Sequence, residues 1–341
     1  MFVSEIDPIV GRAIRYGWRV RMTRKYSGIF TNLGTDVKAY EYRATEQSMS
    51  TTKKIGFIGL GVMGEPMCRN LAQKTGQQIL AYDTQAAPLA RLGAAISPAR
   101  SVAHVMQASE LIFLSLPSGE VVADVARQPD GLLAHARAGQ IVVDLSTSPV
   151  KLTRALFEEF KARGITLIDA PVARTRAAAE AGTLSVMVGA TAEQFEMVKP
   201  LIACFASEIT LCGGVGAGQI TKILNNMVLF ETVVALAEAR AIARRSGVDP
   251  QALFETLSLG SADSFALRNH GMKAMIPGDF PERAFSVDYA VKDLRYALEL
   301  AQDTGVDAAG ARNVQRLYDL ARARGDQDAY HPVVSRVIDP Q

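Results

Sequence analysis

A short apolar run, Ile55 to Ile58, leads directly into Gly59-Leu-Gly61-Val-Met-Gly64, and helical periodicity begins at Val62. No other feature of the chain restricts its fold as tightly. Glycines so placed let a strand turn sharply into a helix, let backbone approach a ligand, and leave the helix N-terminus facing it. A second run, Gln78 to Tyr82, ends in Asp83, 22 residues after Gly61. Strand, turn, helix, strand and acid in that order describe a pyrophosphate cradle with a carboxylate for ribose hydroxyls, the pattern of a dinucleotide site. A Gly-rich turn followed by an unrelated surface Asp is the plainer alternative, and the order of all five parts weighs against it. A carboxylate repels a 2′-phosphate, and Thr84-Gln85 provide no Arg to receive one, so the expected cofactor is NAD. Gly59, Gly61, Val62, Met63, Gly64 and Asp83 are the residues expected to hold it.

The same alternation continues downstream. Leu111 to Leu116, Ile141 to Leu145 and Thr166 to Ile168 are further apolar runs, with amphipathic stretches such as Val62 to Gln73 and Pro149 to Arg163 between runs. Near-continuous apolar strands alternating with helices predict a parallel sheet covered on both faces. Leu184 to Val188 and Glu208 to Leu211 extend it, and then the strand signal stops. Gln219 to Arg245, Pro250 to Leu257, Val287 to Asp303 and Ala308 to Arg324 read as helices, the first apolar nearly all round between Ile220 and Ala243, as a helix buried against several neighbours should be. The expectation is therefore an α/β chain: an N-terminal Rossmann-type doubly wound parallel sheet over 54–215, followed by an all-α C-terminal domain over 216–337 for substrate and dimerisation.

Residues 1–53 stand apart. Ten of the 37 Lys and Arg, but five of the 35 Asp and Glu, fall within the first 54 positions, leaving the rest at 27 against 30. The segment is read as an extension, disordered or lying upstream of a true start at Met49. A transit peptide is the rival, opposed by Glu5, Asp7 and Asp36. The mildly acidic body has no basic stripe for nucleic acid. Three scattered Cys and four isolated His offer neither a disulfide framework nor a metal site. No apolar run approaches the roughly 20 residues of a membrane span. A metal-free cytoplasmic enzyme is expected.

Lys222, Asn225 and Asn226 are spaced i, i+3, i+4, so they share a face of the long helix. An ammonium and two amides in an otherwise apolar helix are costly to desolvate without partners. An ammonium beside a carbonyl stabilises the oxygen as hydride arrives and then protonates it, and desolvation lowers its pKa toward the working range. The spacing alone also fits a Lys reaching solvent from the helix start with capping amides. The loops Ser115-Leu116-Pro117 and Asp144-Leu145-Ser146-Thr147 follow strand ends, where ligands of open α/β sheets bind.

Gly59 to Gly64, Asp144 to Thr147, Asp169-Ala-Pro-Val172, Gly182-Thr-Leu184, Lys222-Ile-Leu-Asn-Asn226 and Lys292-Asp-Leu294 occur in an order and spacing that resemble the β-hydroxyacid dehydrogenases, the family of 3-hydroxyisobutyrate dehydrogenase and tartronate semialdehyde reductase. The resemblance covers 54 to about 325. It implies Lys222 as catalytic acid/base, Asn226 orienting substrate and Lys222, Thr147 touching nicotinamide and substrate, and Lys292 near the cofactor, and it favours the strand-end loop of Leu116 and Pro117 as a cofactor border over an ordinary capped turn. By itself Lys292 reads as a surface helix Lys with a neighbouring Asp. Where most members have Ser-Gly-Gly after Asp-x-Pro-Val, this chain has Ala173-Arg174-Thr175, which looks like the Arg-Thr signature of 3-sulfolactaldehyde reductase. Arg174 and Asn225 are then expected to bind the acid group of a small anionic hydroxy acid or semialdehyde; a surface or interface Arg is the plainer alternative for Arg174. Ala178 and Leu229 depart from that subgroup, which has Asn and Ser there. A 6-phosphogluconate dehydrogenase-like decarboxylating enzyme would place His at Asn225, and imine reductases usually replace the Lys. A non-catalytic NAD sensor would tolerate loss of Lys222 or Asn226. The apolar helical half predicts a homodimer or homotetramer.

Overall fold

The computed structural model describes residues 53–340 apart from 283, so the expectation for the N-terminal extension falls outside the described residues, save Lys53. Six short strands, β1 (Ile55–Ile58), β2 (Ile79–Tyr82), β3 (Ile96–Pro98), β4 (Leu111–Leu114), β5 (Ile141–Asp144) and β6 (Thr166–Asp169), pair in parallel in the order β3-β2-β1-β4-β5-β6. The chain reverses direction between β3 and β4 across β1, which opens a crevice beyond the carboxyl ends of β1 and β4. Helices α1 (Gly64–Thr75), α2 (Ala86–Leu92), α3 (Val102–Ala108), α4 (Gly119–Arg127) and α5 (Val150–Lys161) connect the strands. Along β4, Leu111 and Phe113 enter one apolar cluster while Ile112 and Leu114 enter another, so the sheet is buried on both faces.

The extension of the sheet differs in direction from the first six strands. β7 (Val172–Ala173), α6 (Arg176–Ala181), β8 (Leu184–Gly189), α7 (Ala192–Ile202) and β9 (Ala206–Gly213) follow. β8 runs antiparallel to β6 and β7 and parallel to β9. The cause is local: Pro171 and the short β7 turn the chain back beside β6 without a helical crossover of the length a parallel return needs.

The helical half comprises α8 (Ala217–Arg245), α9 (Pro250–Leu257), a π-type segment at Leu267–Met275, α10 (Val287–Thr304), α11 (Ala309–Ala323) and α12 (Ser335–Ile338). Asp249 accepts from the Ala252 N–H and precedes Pro250, a strong start signal for α9. α8 packs against the other five, with Phe230, Val233, Val234 and Leu236 in the second core. Two expectations for α8 need correction. Over an 18-residue window its mean hydropathy is 1.4, so by length and composition it could cross a membrane, although core helices meet the same test. Nor is it covered all round: Leu224, Val228 and Ile242 remain 39%, 57% and 66% exposed, because its neighbours occupy only part of its circumference.

Candidate active site

The glycine turn has the properties a dinucleotide requires. Gly59 has φ +93°, and a Cβ there would lie 2.2 Å from the Ser115 carbonyl oxygen. A Cβ on Gly64 would lie 2.0 Å from the Gly59 carbonyl oxygen, so that residue permits close packing of α1 onto the turn. Gly61 faces open space, Val62 is exposed, and Met63 at the helix start provides no capping side chain. Glu65 and Met67 donate to the Gly61 and Met63 carbonyls and Pro66 has no N–H, so the N–H groups left for phosphate oxygens are those of Val62, Met63 and Gly64, where the turn enters α1. Asp83 accepts from the Leu60 N–H at 2.6 Å and the Gln85 N–H at 2.7 Å, which locks its carboxylate beside the turn while leaving lone pairs for ribose hydroxyls. These residues fit an NAD-type dinucleotide.

Lys222 lies in the second turn of α8, 8% exposed, and donates to Asn226 Oδ1 at 3.1 Å. Asn225, more exposed, also donates to that oxygen at 3.0 Å. Asn226 Nδ2 donates to Asp293 Oδ2 at 2.6 Å. A carboxylate only accepts, so Asp293 dictates which way the Asn226 amide faces and hence that its oxygen meets Lys222. Desolvation brings the Lys222 pKa down from 10.5 to about 8; Asp293 opposes this shift and Lys292 reinforces it.

Lys292 connects this group to the loop after β4. Its ammonium donates to the Pro117 carbonyl at 3.1 Å, lies 3.1 Å from Asp293 Oδ1, and sits over the rings of Tyr289 and Tyr296. Its side chain is only 16% exposed, so it is not the surface Lys that its sequence neighbourhood alone allows. The Leu116 N–H donates to Ser146 Oγ, tying the two loops together, and Thr147 is half-buried between buried Ser146 and Ser148.

Lys222, Asn225, Asn226, Lys292, Leu116, Pro117 and Thr147 therefore converge by a chain of contacts on one end of the sheet. Arg174 does not join them. It is exposed, adopts φ +85°, and donates to the Thr183 carbonyl at 2.6 Å and Ser207 Oγ at 3.1 Å. The sequence reading passed over Asp293 and Gln219. Asp293 could have been noticed as the acid within Lys292-Asp-Leu294, but only packing reveals that it is 3% exposed and paired with Asn226. Among the described residues, no group of three or more His, Cys, Asp or Glu could hold a metal ion.

The profile described as the NAD binding domain of 6-phosphogluconate dehydrogenase matches residues 54–214, and that described as NAD-binding of NADP-dependent 3-hydroxyisobutyrate dehydrogenase matches 216–338. The 2-(hydroxymethyl)glutarate dehydrogenase of Eubacterium barkeri is 35% identical over 278 residues, 81% of this chain and 92% of that one. The chain belongs to the β-hydroxyacid dehydrogenase family. It is an NAD-dependent oxidoreductase acting on the CH–OH group of small hydroxy acids. The 3-sulfolactaldehyde reductase of Escherichia coli is 32% identical over 277 residues, covering 80% and 92%. Identity thus does not favour the Arg-Thr subgroup over other relatives. Mycobacterium tuberculosis 3-hydroxyisobutyrate dehydrogenase, solved with L-serine, superposes with TM-score 0.76 at 29% identity, covering 84% of this chain and 99% of that one.

Proposed function

We propose that this dehydrogenase reduces a short semialdehyde carrying a distal carboxylate or sulfonate, and oxidises the matching hydroxy acid, with Lys222 transferring the proton. The observation that carries this reading is the buried Lys222, Asn226, Asp293 relay beside the loops at Leu116 and Thr147. The reduced nicotinamide supplies the hydride. As charge builds on the carbonyl oxygen, the Lys222 ammonium stabilises it and then donates its proton. Asn226 removes one rotational freedom from that ammonium, and Asp293 fixes Asn226. One Asn225 amide hydrogen is engaged by Asn226, which leaves the other for substrate. Thr147 borders the reacting carbonyl. Arg174 reaches the distal anion by exchanging its contacts with Thr183 and Ser207 for a charge-assisted pair.

Asp83 favours NAD over NADP, because the Leu60 and Gln85 N–H groups hold its carboxylate beside the glycine turn and a 2′-phosphate would meet that charge. Two copies pair through the apolar stripe of Leu224, Val228 and Ile242, which a helix of this length would not otherwise leave in water. The Cys residues are free, in keeping with a cytoplasmic setting. The test is a panel of aldehydes, with and without a distal carboxylate or sulfonate, offered with NADH or NADPH. Faster reduction of the anionic members with NADH supports the assignment; indifference to the anion or a preference for NADPH contradicts it.

A further inference from the structure

Gln219 lies one helical turn before Lys222 on α8 and is completely buried. Its side-chain amide makes two hydrogen bonds, both to the loop after β5. Gln219 Oε1 accepts from the Ser148 N–H at 3.0 Å, and Nε2 donates to the Ser146 carbonyl at 2.8 Å. Those partners flank Thr147 on either side. One amide from the helix that carries Lys222 therefore grips the backbone immediately before and after Thr147.

The grip is itself anchored. The backbone N–H of Gln219 donates to Asp169 Oδ2 at 2.9 Å, and the N–H of Gly216 donates to Asp169 Oδ1 at 2.8 Å. Asp169 is fully buried at the end of β6 and thus acts as an external cap for the α8 N-terminus. Gly189 and Gly218 leave room for that carboxylate: a Cβ would lie 2.2 Å from its Oδ1 at the first and 2.8 Å from its Oδ2 at the second. Asp144, paired in register with Asp169 on β5, accepts from the Ser146 N–H at 2.9 Å. Ser146 Oγ in turn receives the Leu116 N–H. The buried polar joint runs without interruption from the Leu116 loop to the helix of Lys222.

We propose that Gln219 is a positioning residue that holds Thr147 and Lys222 in register across the crevice. The inference rests on the proposed role of Lys222. A hydrocarbon side chain could fill the same volume, but it could not fix the loop backbone on both sides of Thr147, and it would leave a buried N–H and a buried carbonyl unpaired. Small errors in the relative placement of hydride and proton donors cost rate far more than affinity.

The experiment compares wild type, Lys222→Ala, Gln219→Met and Gln219→Glu, using NADH fluorescence for binding and the best semialdehyde of the panel for turnover. In Gln219→Met, NADH affinity should be retained, kcat should fall on the order of 10- to 100-fold, and the primary isotope effect with 4-deuterated NADH should rise as hydride transfer becomes limiting. Gln219→Glu keeps the acceptor and loses the donor when ionised. Its charged surroundings are Asp144 from β5, Asp169 from β6 and Arg154 of α5 against Gly216. Its kcat relative to wild type should climb as pH is lowered, because the protonated carboxyl regains a donor for the Ser146 carbonyl. That recovery carries the test should Gln219→Met not fold. Wild-type kcat and isotope effect in Gln219→Met, or a Gln219→Glu pH profile parallel to wild type, would overturn the proposal alone. A wild type that binds NADH and reduces no aldehyde, or a fully active Lys222→Ala, would overturn the underlying reading and the proposal with it.

Discussion

At the scale of single residues, the chemistry depends on which charges are buried together. Lys222 is ammonium below about 8 and amine above it, because desolvation lowers its pKa. In the proposed role, reduction uses the protonated form, so its rate should fall as pH rises through that value; oxidation uses the amine and should rise. Removing the Asp293 charge withdraws support from the ammonium, so in Asp293→Asn both midpoints should move to lower pH, and pH–rate profiles in the two directions would show it. An unmoved midpoint would detach Asp293 from Lys222. Arg174→Gly should raise KM for the anionic semialdehyde about tenfold or more with kcat little changed, the signature of a lost binding contact. The lysine and the two Asn were legible because polar residues at helical spacing stand out on an apolar helix. Asp293 and Gln219 were not, since an Asp beside a Lys and a Gln at a helix start are unremarkable until packing closes over them.

At the scale of elements, the chain announced its architecture where local signals agreed. The glycine turn, the apolar runs of β1, β4 and β5, and the Asp249-Pro250 start of α9 are strong signals within a few residues, and the elements form there. α1 begins at Gly64 rather than Val62, because the residues before Gly64 remain in the turn. The three-residue β3 and two-residue β7 are too short to establish a period, and the π-type segment at Leu267–Met275 has no simple helical spacing. The direction of β8 also depends on non-local pairing. The close contact at Gly64 yields a sharp expectation: Gly64→Ala should cost about 1–3 kcal/mol of stability by overpacking and weaken NADH binding, measured by denaturant titration and fluorescence. Unchanged affinity would mean that the turn does not need to close on α1.

At the scale of the whole molecule, the two halves meet through α8 and α10. The hydroxyl of Tyr296 donates to Glu120 Oε2 at 2.9 Å, Arg295 pairs with the other oxygen at 2.9 Å, and Lys151 meets Asp303. Buried histidines make the helical half sensitive to acid. Burial lowers the pKa of His270 from 6.5 to about 4 and holds that of His331 well below 6.5, with His270 adding to the effect on His331. A depressed folded pKa stabilises fully above the unfolded value and loses that contribution as pH falls through the folded one. The stability advantage of wild type over His270→Phe should therefore shrink as pH falls from 6.5 toward about 4, by up to about 3 kcal/mol. A constant difference across that range would show that His270 charges without penalty. Oligomeric state, legible only as an apolar stripe, is tested by comparing elution mass of wild type with that of Val228→Glu.

The central claim is that Lys222 moves the proton during turnover, and comparing Lys222→Ala with wild type for NADH oxidation by an anionic semialdehyde tests it most directly. The expected result is cofactor binding like wild type with a kcat reduced by about 10²- to 10⁴-fold. Turnover at the wild-type rate in that variant would contradict the account.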